Sequence, residues 1–186
     1  DVPTRPTMFA AFAIVFIANY LGVTIASRLQ TALMGSLIVL FLVFAAWGTP
    51  HIEAQHFEPF LPNGWSGVLA ALPLLIGLFF GIEAATEVGE EVKDGRASIP
   101  LGIAISIVSA VLLYLLVAGV ALGVLGSAAI ASSDTPLLSA AATFMGPVAK
   151  PLIVGAAVIA IGKSLNALFL IFSRNLFAMA RAGALP

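Results

Sequence analysis

Five long apolar runs separated by short polar breaks organise the chain. They extend from Met8 to about Ala26, about Thr31 to Gly48, Gly67 to about Thr86, Ile99 to about Gly126, and Pro151 to about Ser173. Each reaches or approaches the roughly 20 residues an α-helix needs to cross the hydrocarbon of a bilayer. The apolar positions run continuously rather than alternating as in barrel strands, and lipid offers no partner to an open backbone group, so these spans are expected to be helices. The predicted fold is an all-α integral membrane protein with five transmembrane helices.

The breaks have different characters. Ala26 to Gln30 reads as a tight turn containing Arg28, and 49–66, "TPHIEAQHFEPFLPNGWS", has no lysine or arginine. The stretch 87–98 carries Lys93 and Arg96, whereas 127–150 is rich in proline and small residues, with Asp134 and Lys150. Cytoplasmic connections collect lysine and arginine. Arg28, Lys93, Arg96, Arg174 and Arg181 fall on alternate connections, against Lys150 and Arg5 on the others. This pattern predicts an outside N-terminus and an inside C-terminus, with 49–66 and 127–150 extracellular and 87–98 cytoplasmic. Trp47 and Trp65 then lie at the outer interface, where amphipathic rings settle.

Composition narrows the function classes. Of 186 residues 61% are hydrophobic and 9% charged, with a mean hydropathy of +1.12, so a lipid bilayer is the expected surrounding. The net charge of −1 does not suit a nucleic-acid partner, and the absence of cysteine removes thiolate chemistry. With no histidine and no facing pair of acids in the spans, neither an enzyme nor a cofactor or metal site is expected. His51 and His56 flank Glu53 in "HIEAQH" but read as a solvated loop. The start at Asp1 and the end at "RAGALP" read as an internal piece of a longer protein, whose remaining spans are its expected partner.

The third run contains its own contradiction. Pro73 removes a backbone donor, and Gly77 and Gly81 each weaken a helix by roughly 1 kcal/mol relative to alanine. The spacing predicts a discontinuous helix that comes apart around Phe79, Phe80, Gly81 and Ile82. Carbonyls ending one half and amides opening the other would then offer opposite partial charges to a small-molecule substrate near the midplane. Glu83 follows while the run is still apolar, and a carboxylate there is a functional candidate by default. Burial favours its neutral form, so it is expected to bind and release protons. The fifth run poses a parallel question at Lys163, roughly 16–18 Å along the helix from both Pro151 and Arg174. An ammonium at that depth pairs, loses its proton, or lines a wet pathway.

These residues carry a resemblance. "FFGIEAATEVGEEVKDGRASIP", from Phe79 to Pro100, resembles the sixth-span signature of the amino acid–polyamine–organocation superfamily of transporters. "SLNALFLIFSRNLFAMARAGALP", from Ser164 to Pro186, is similar to that superfamily's eighth span, and "NYLGVTIASRLQ", from Asn19 to Gln30, to its turn between spans four and five. The resemblance implies that the five helices are spans four to eight of an inverted-repeat fold like that of the leucine transporter. It also implies that the substrate-capturing first span lies outside this sequence, so that the piece alone is expected to transport nothing. Two departures stand out: Gly77 replaces the usual aromatic before Phe79, and Asp94-Gly95 the usual asparagine-proline.

The function implied is secondary active transport of amino acids or related amines across the cell membrane. Gly77, Phe79, Phe80, Gly81 and Ile82 are the expected substrate-binding residues. In sodium-coupled relatives, hydroxyl residues on this part of span eight hold a cation. Lys163 beside Ser164, with Asn166 as a further neighbour, therefore implies an ammonium in place of the metal ion. Glu83 and Lys163 become the expected proton-coupling pair, giving sodium-independent transport driven by protons or by exchange. The alternative reading is an ion-translocating channel or pump subunit with a buried lysine and glutamate path.

Overall fold

Glycine and proline set the ends of the helices. In the computed structural model, which describes residues 4–79, 81, 92 and 94–184, α1 spans Thr4–Tyr20, α2 Val23–Gly48 and α3 Gly64–Gly77. They are followed by α4 (Gly95–Leu125), α5 (Ser127–Ser132), α6 (Pro136–Met145) and α7 (Ala149–Arg181), and the described residues contain no strand. Three helical stretches, Val23–His51, Gly95–Leu125 and Pro136–Arg181, are long and apolar enough to cross a membrane, and Gly64–Gly77 is a shorter apolar helix. The chain is an all-α membrane protein.

Two boundaries differ from those read off the sequence. The first turn lies at Leu21 and Gly22, not at Ala26 to Gln30, which is helical within α2. Gly22 has φ +115°, a conformation side-chain-bearing residues avoid, and its carbonyl accepts from the N–H groups of Ile25 and Ala26 to start α2. The stretch 127–150, read as a loop, contains α5 and α6. Pro136 at the first turn of α6 sacrifices an N–H that would lack a partner in any case, and Gly146 with φ +55° ends the helix. Between them Leu137, Ala140, Ala141 and Met145 recur at helical spacing and turn toward the core.

Helix α3 stops at Gly77. The N–H groups of Leu78 and Phe79 bond back three residues, to the carbonyls of Leu75 and Ile76, which tightens the last turn, and Gly81 takes φ +98°. The expected interruption of this span therefore begins at Gly77. Phe80, Ile82 and Glu83 lie outside the described residues.

The tightest core sits where α2 and α4 end and α6 and α7 begin. Phe44 and Ala45, Val117, Val120 and Ala121, and Ala140 and Ala141 are buried against one another there. Small residues let the backbones approach: a Cβ on Gly48 would lie 2.4 Å from Cγ1 of Val120. The connection after α2 closes this end. The N–H of Glu53 and Nδ1 of His56 both meet the carbonyl of Gly123, at 2.9 and 2.8 Å, and Ile52 and Phe57 cover the face that Gly123 leaves bare. This occupies one carbonyl of the last turn of α4, which ends at Gly126 with φ +76°.

Candidate functional site

Away from that core, the end of α3 and the facing sides of α4 and α7 enclose a crevice of about 780 Å³. Leu78, Phe79 and Gly81 enter it from beyond α3, and Met34 reaches it from α2. Lys163 and Ser164 line it from α7, while Ser106 and Tyr114 line it from α4. The C-terminal end of α3 thus brings the negative pole of a helix dipole to the same space as a lysine ammonium.

The structure gathers four of the residues singled out in the sequence, Phe79, Gly81, Lys163 and Ser164, on one wall-to-wall space. Lys163 is half-buried, and among the described residues no acid lies within ion-pair distance of it. Gly77 lies at the end of α3 but off the crevice, with nothing within 4 Å of where a Cβ would stand. Phe80, Ile82 and Glu83 lie outside the described residues, so their expected roles have no geometry here.

Asn166 has a different place from the one expected. It does not line the crevice but lies fully buried between α7, α1 and α2. Its Nδ2 donates to the carbonyl of Ala26 at 3.0 Å and to Oε1 of Gln30 at 2.9 Å, and its Oδ1 accepts from Nδ2 of Asn19 at 2.9 Å. Asn19 spends its other amide hydrogen on the carbonyl of Val15, 2.8 Å away. The physical reason is angular: three residues along a helix turn the side chain by roughly 60° from Lys163, enough to move from the crevice to the α1–α2 seam. Asn166 therefore bridges α7 to α1 and α2.

The sequence reading passed over Ser106, Tyr114 and Met34. Ser98, Ser106 and Tyr114 are polar positions at multiples of four in an otherwise apolar run, and that period is the signal that marks one face of α4. The histidines belong to the closed end of the bundle. His51 stacks on Phe144 and bonds the carbonyl of Trp47, and His56 holds Gly123 with Glu53 3.8 Å from its Nε2.

Comparison with known proteins places the whole chain in one group. The profile described as amino acid permease matches residues 1–186. The chain is 28% identical over 184 residues to the branched-chain amino acid permease BcaP of Bacillus subtilis, covering 97% of this chain and 39% of that protein. It is 30% identical over 167 residues to the methylthioribose transporter of the same organism, covering 89% of this chain and 36% of that protein. It is 35% identical over 127 residues to cationic amino acid transporter 3, mitochondrial, of Arabidopsis thaliana, covering 68% of this chain and 21% of that protein. The chain therefore spans well under half the length of the curated relatives it matches.

Proposed function

The chain belongs to the amino acid permease family, and from that premise we propose that it supplies spans four to eight of a secondary active carrier for amino acids or related amines in the cell membrane. The observation that carries this reading is the crevice, where the broken end of α3 meets Lys163 and Ser164. A helix end and an ammonium supply partial and full charge of opposite sign in a largely apolar cleft, which suits a small zwitterion or amine. The names of two relatives speak of amino acids and support this reading, whereas methylthioribose, in the name of the third, is a neutral thiosugar. In this reading Gly77, Phe79, Phe80, Gly81 and Ile82 contact substrate, and Glu83 and Lys163 couple its movement to protons. The N-terminal end of the chain faces outside and the C-terminal end faces the cytoplasm.

Lys163 decides the coupling ion. A sodium ion about 4 Å from its ammonium meets repulsion of about 4 kcal/mol at an effective dielectric of about 20, near a thousandfold in occupancy. Transport by the full-length carrier is therefore expected to proceed when choline replaces sodium at constant pH. Lys163→Ala, compared at equal membrane abundance, is expected to lose that sodium-independent uptake. Wild-type uptake that vanishes on removal of sodium overturns the assignment of Lys163. Conductance without saturable uptake overturns the carrier reading in favour of a channel.

A further inference from the structure

Helix α4 has two unlike faces. At about 100° per residue, Leu101, Ile105, Val108, Leu112 and Leu115 stack into one stripe of large apolar side chains, each more than half exposed. Ser98, Gly102, Ser106, Ala110 and Tyr114 recur every fourth residue on a row that winds away from that stripe, about 60° from it at Ser98 and opposite it at Ala110, and all five line the crevice. From Ser98 to Tyr114 this wall runs about 24 Å along the helix axis.

Four polar groups in the crevice are unspent. Among the described residues the hydroxyls of Ser106, Tyr114 and Ser164 and the ammonium of Lys163 make no hydrogen bond or ion pair within the chain. Further along α7, Ser173 by contrast bonds the carbonyl of Leu170. Hydroxyls and an ammonium without protein partners are unfavourable in a dry apolar space and favourable in a wet one. The crevice has room for roughly 25 water molecules at about 30 Å³ each, ample to hydrate all four groups.

We propose that this side of α4 is a wall of the permeation route, with Ser106 and Tyr114 contacting water and the polar part of the passing solute. The proposal rests on the carrier reading for what passes, but not for the presence of water. Ile99, Ile103 and Ile107 line the same side, so what sets it apart from the far stripe is the unpartnered hydroxyls of Ser106 and Tyr114 rather than a lack of large apolar residues.

The sequence contains no cysteine, which makes thiol accessibility a direct test. In the full-length carrier, with any cysteine outside this segment replaced, single cysteines are placed at Ser106 and Ala110 on the crevice side. Others are placed at Ile105 and Leu112 on the far side. Each variant is exposed to a small hydrophilic anionic methanethiosulfonate, which reacts only with a hydrated thiolate. Ser106→Cys and Ala110→Cys are expected to be modified about tenfold faster or more, because a site that must first open reacts only in proportion to its open fraction. Equal rates on both faces, or slow modification of all four positions as expected if another span of the protein fills the crevice, overturn the proposal. Uptake by the cysteine-free parent is measured in parallel. Its failure removes the carrier reading and leaves the accessibility result standing, and its success with a dry Ser106 removes only the wall.

Discussion

Replacing Asn166 by leucine tests the junction of α1, α2 and α7. The side chain is fully buried and makes three hydrogen bonds, to Ala26, Gln30 and Asn19. Interhelical hydrogen bonds in membrane proteins average about 0.6 kcal/mol and reach about 1.7, so three of them amount to about 2 to 5 kcal/mol. The lower end is favoured, because Gln30 is only half-buried and turns to other partners, while Asn19 keeps its bond to Val15. Leucine restores volume, so cavity formation adds little. Asn166→Asp is expected to be worse than Asn166→Leu, since a carboxylate would face the carbonyl of Ala26 and Oε1 of Gln30, both of which need a donor.

The assay is reversible unfolding of the full-length carrier in mixed micelles, with a double-mutant cycle that pairs Asn166→Ala with Asn19→Ala. A coupling energy of about 0.5 to 1.5 kcal/mol is expected across that pair. Stability of Asn166→Leu within about 0.5 kcal/mol of wild type, or a coupling of zero, would refute the claim that this network holds the three helices together.

Other outcomes follow from the same geometry. Gly123→Ala places a methyl 2.8 Å from Cγ2 of Ile52 and 3.1 Å from Cζ of Phe57, and is expected to cost about 1–3 kcal/mol. Faster proteolysis within 49–66 is its readout, and unchanged cleavage contradicts the clamp. In the full-length carrier, Glu83→Gln is expected to flatten the pH dependence of uptake, because glutamine cannot exchange a proton. An unchanged pH profile reduces Glu83 to a structural acid.

Much of the molecule is written in hydropathy and backbone chemistry, which are local. Long apolar runs dictate helices because lipid leaves the backbone no other partners, and Pro73, Gly77 and Gly81 together weaken the helix within one short stretch. The sequence by itself therefore determined the membrane class and the neighbourhood in which α3 ends. It misplaced the first turn, because polar residues such as Ser27, Arg28 and Gln30 suggest a break. In the helix, however, Ser27 bonds the carbonyl of Thr24 and Gln30 bonds Asn166.

Only the tertiary structure decided which face of each helix meets what. It turned Asn166 to a buried seam and left its neighbour Lys163 on the crevice, a difference of a fraction of a turn that side-chain type does not encode. It also made a core layer of 136–145, whose alanines are indistinguishable from loop residues until α2, α4 and α7 close around them. Both decisions depend on contacts between residues far apart in the chain. Periodicity marks the faces of one helix, but packing among several chooses the partner of each.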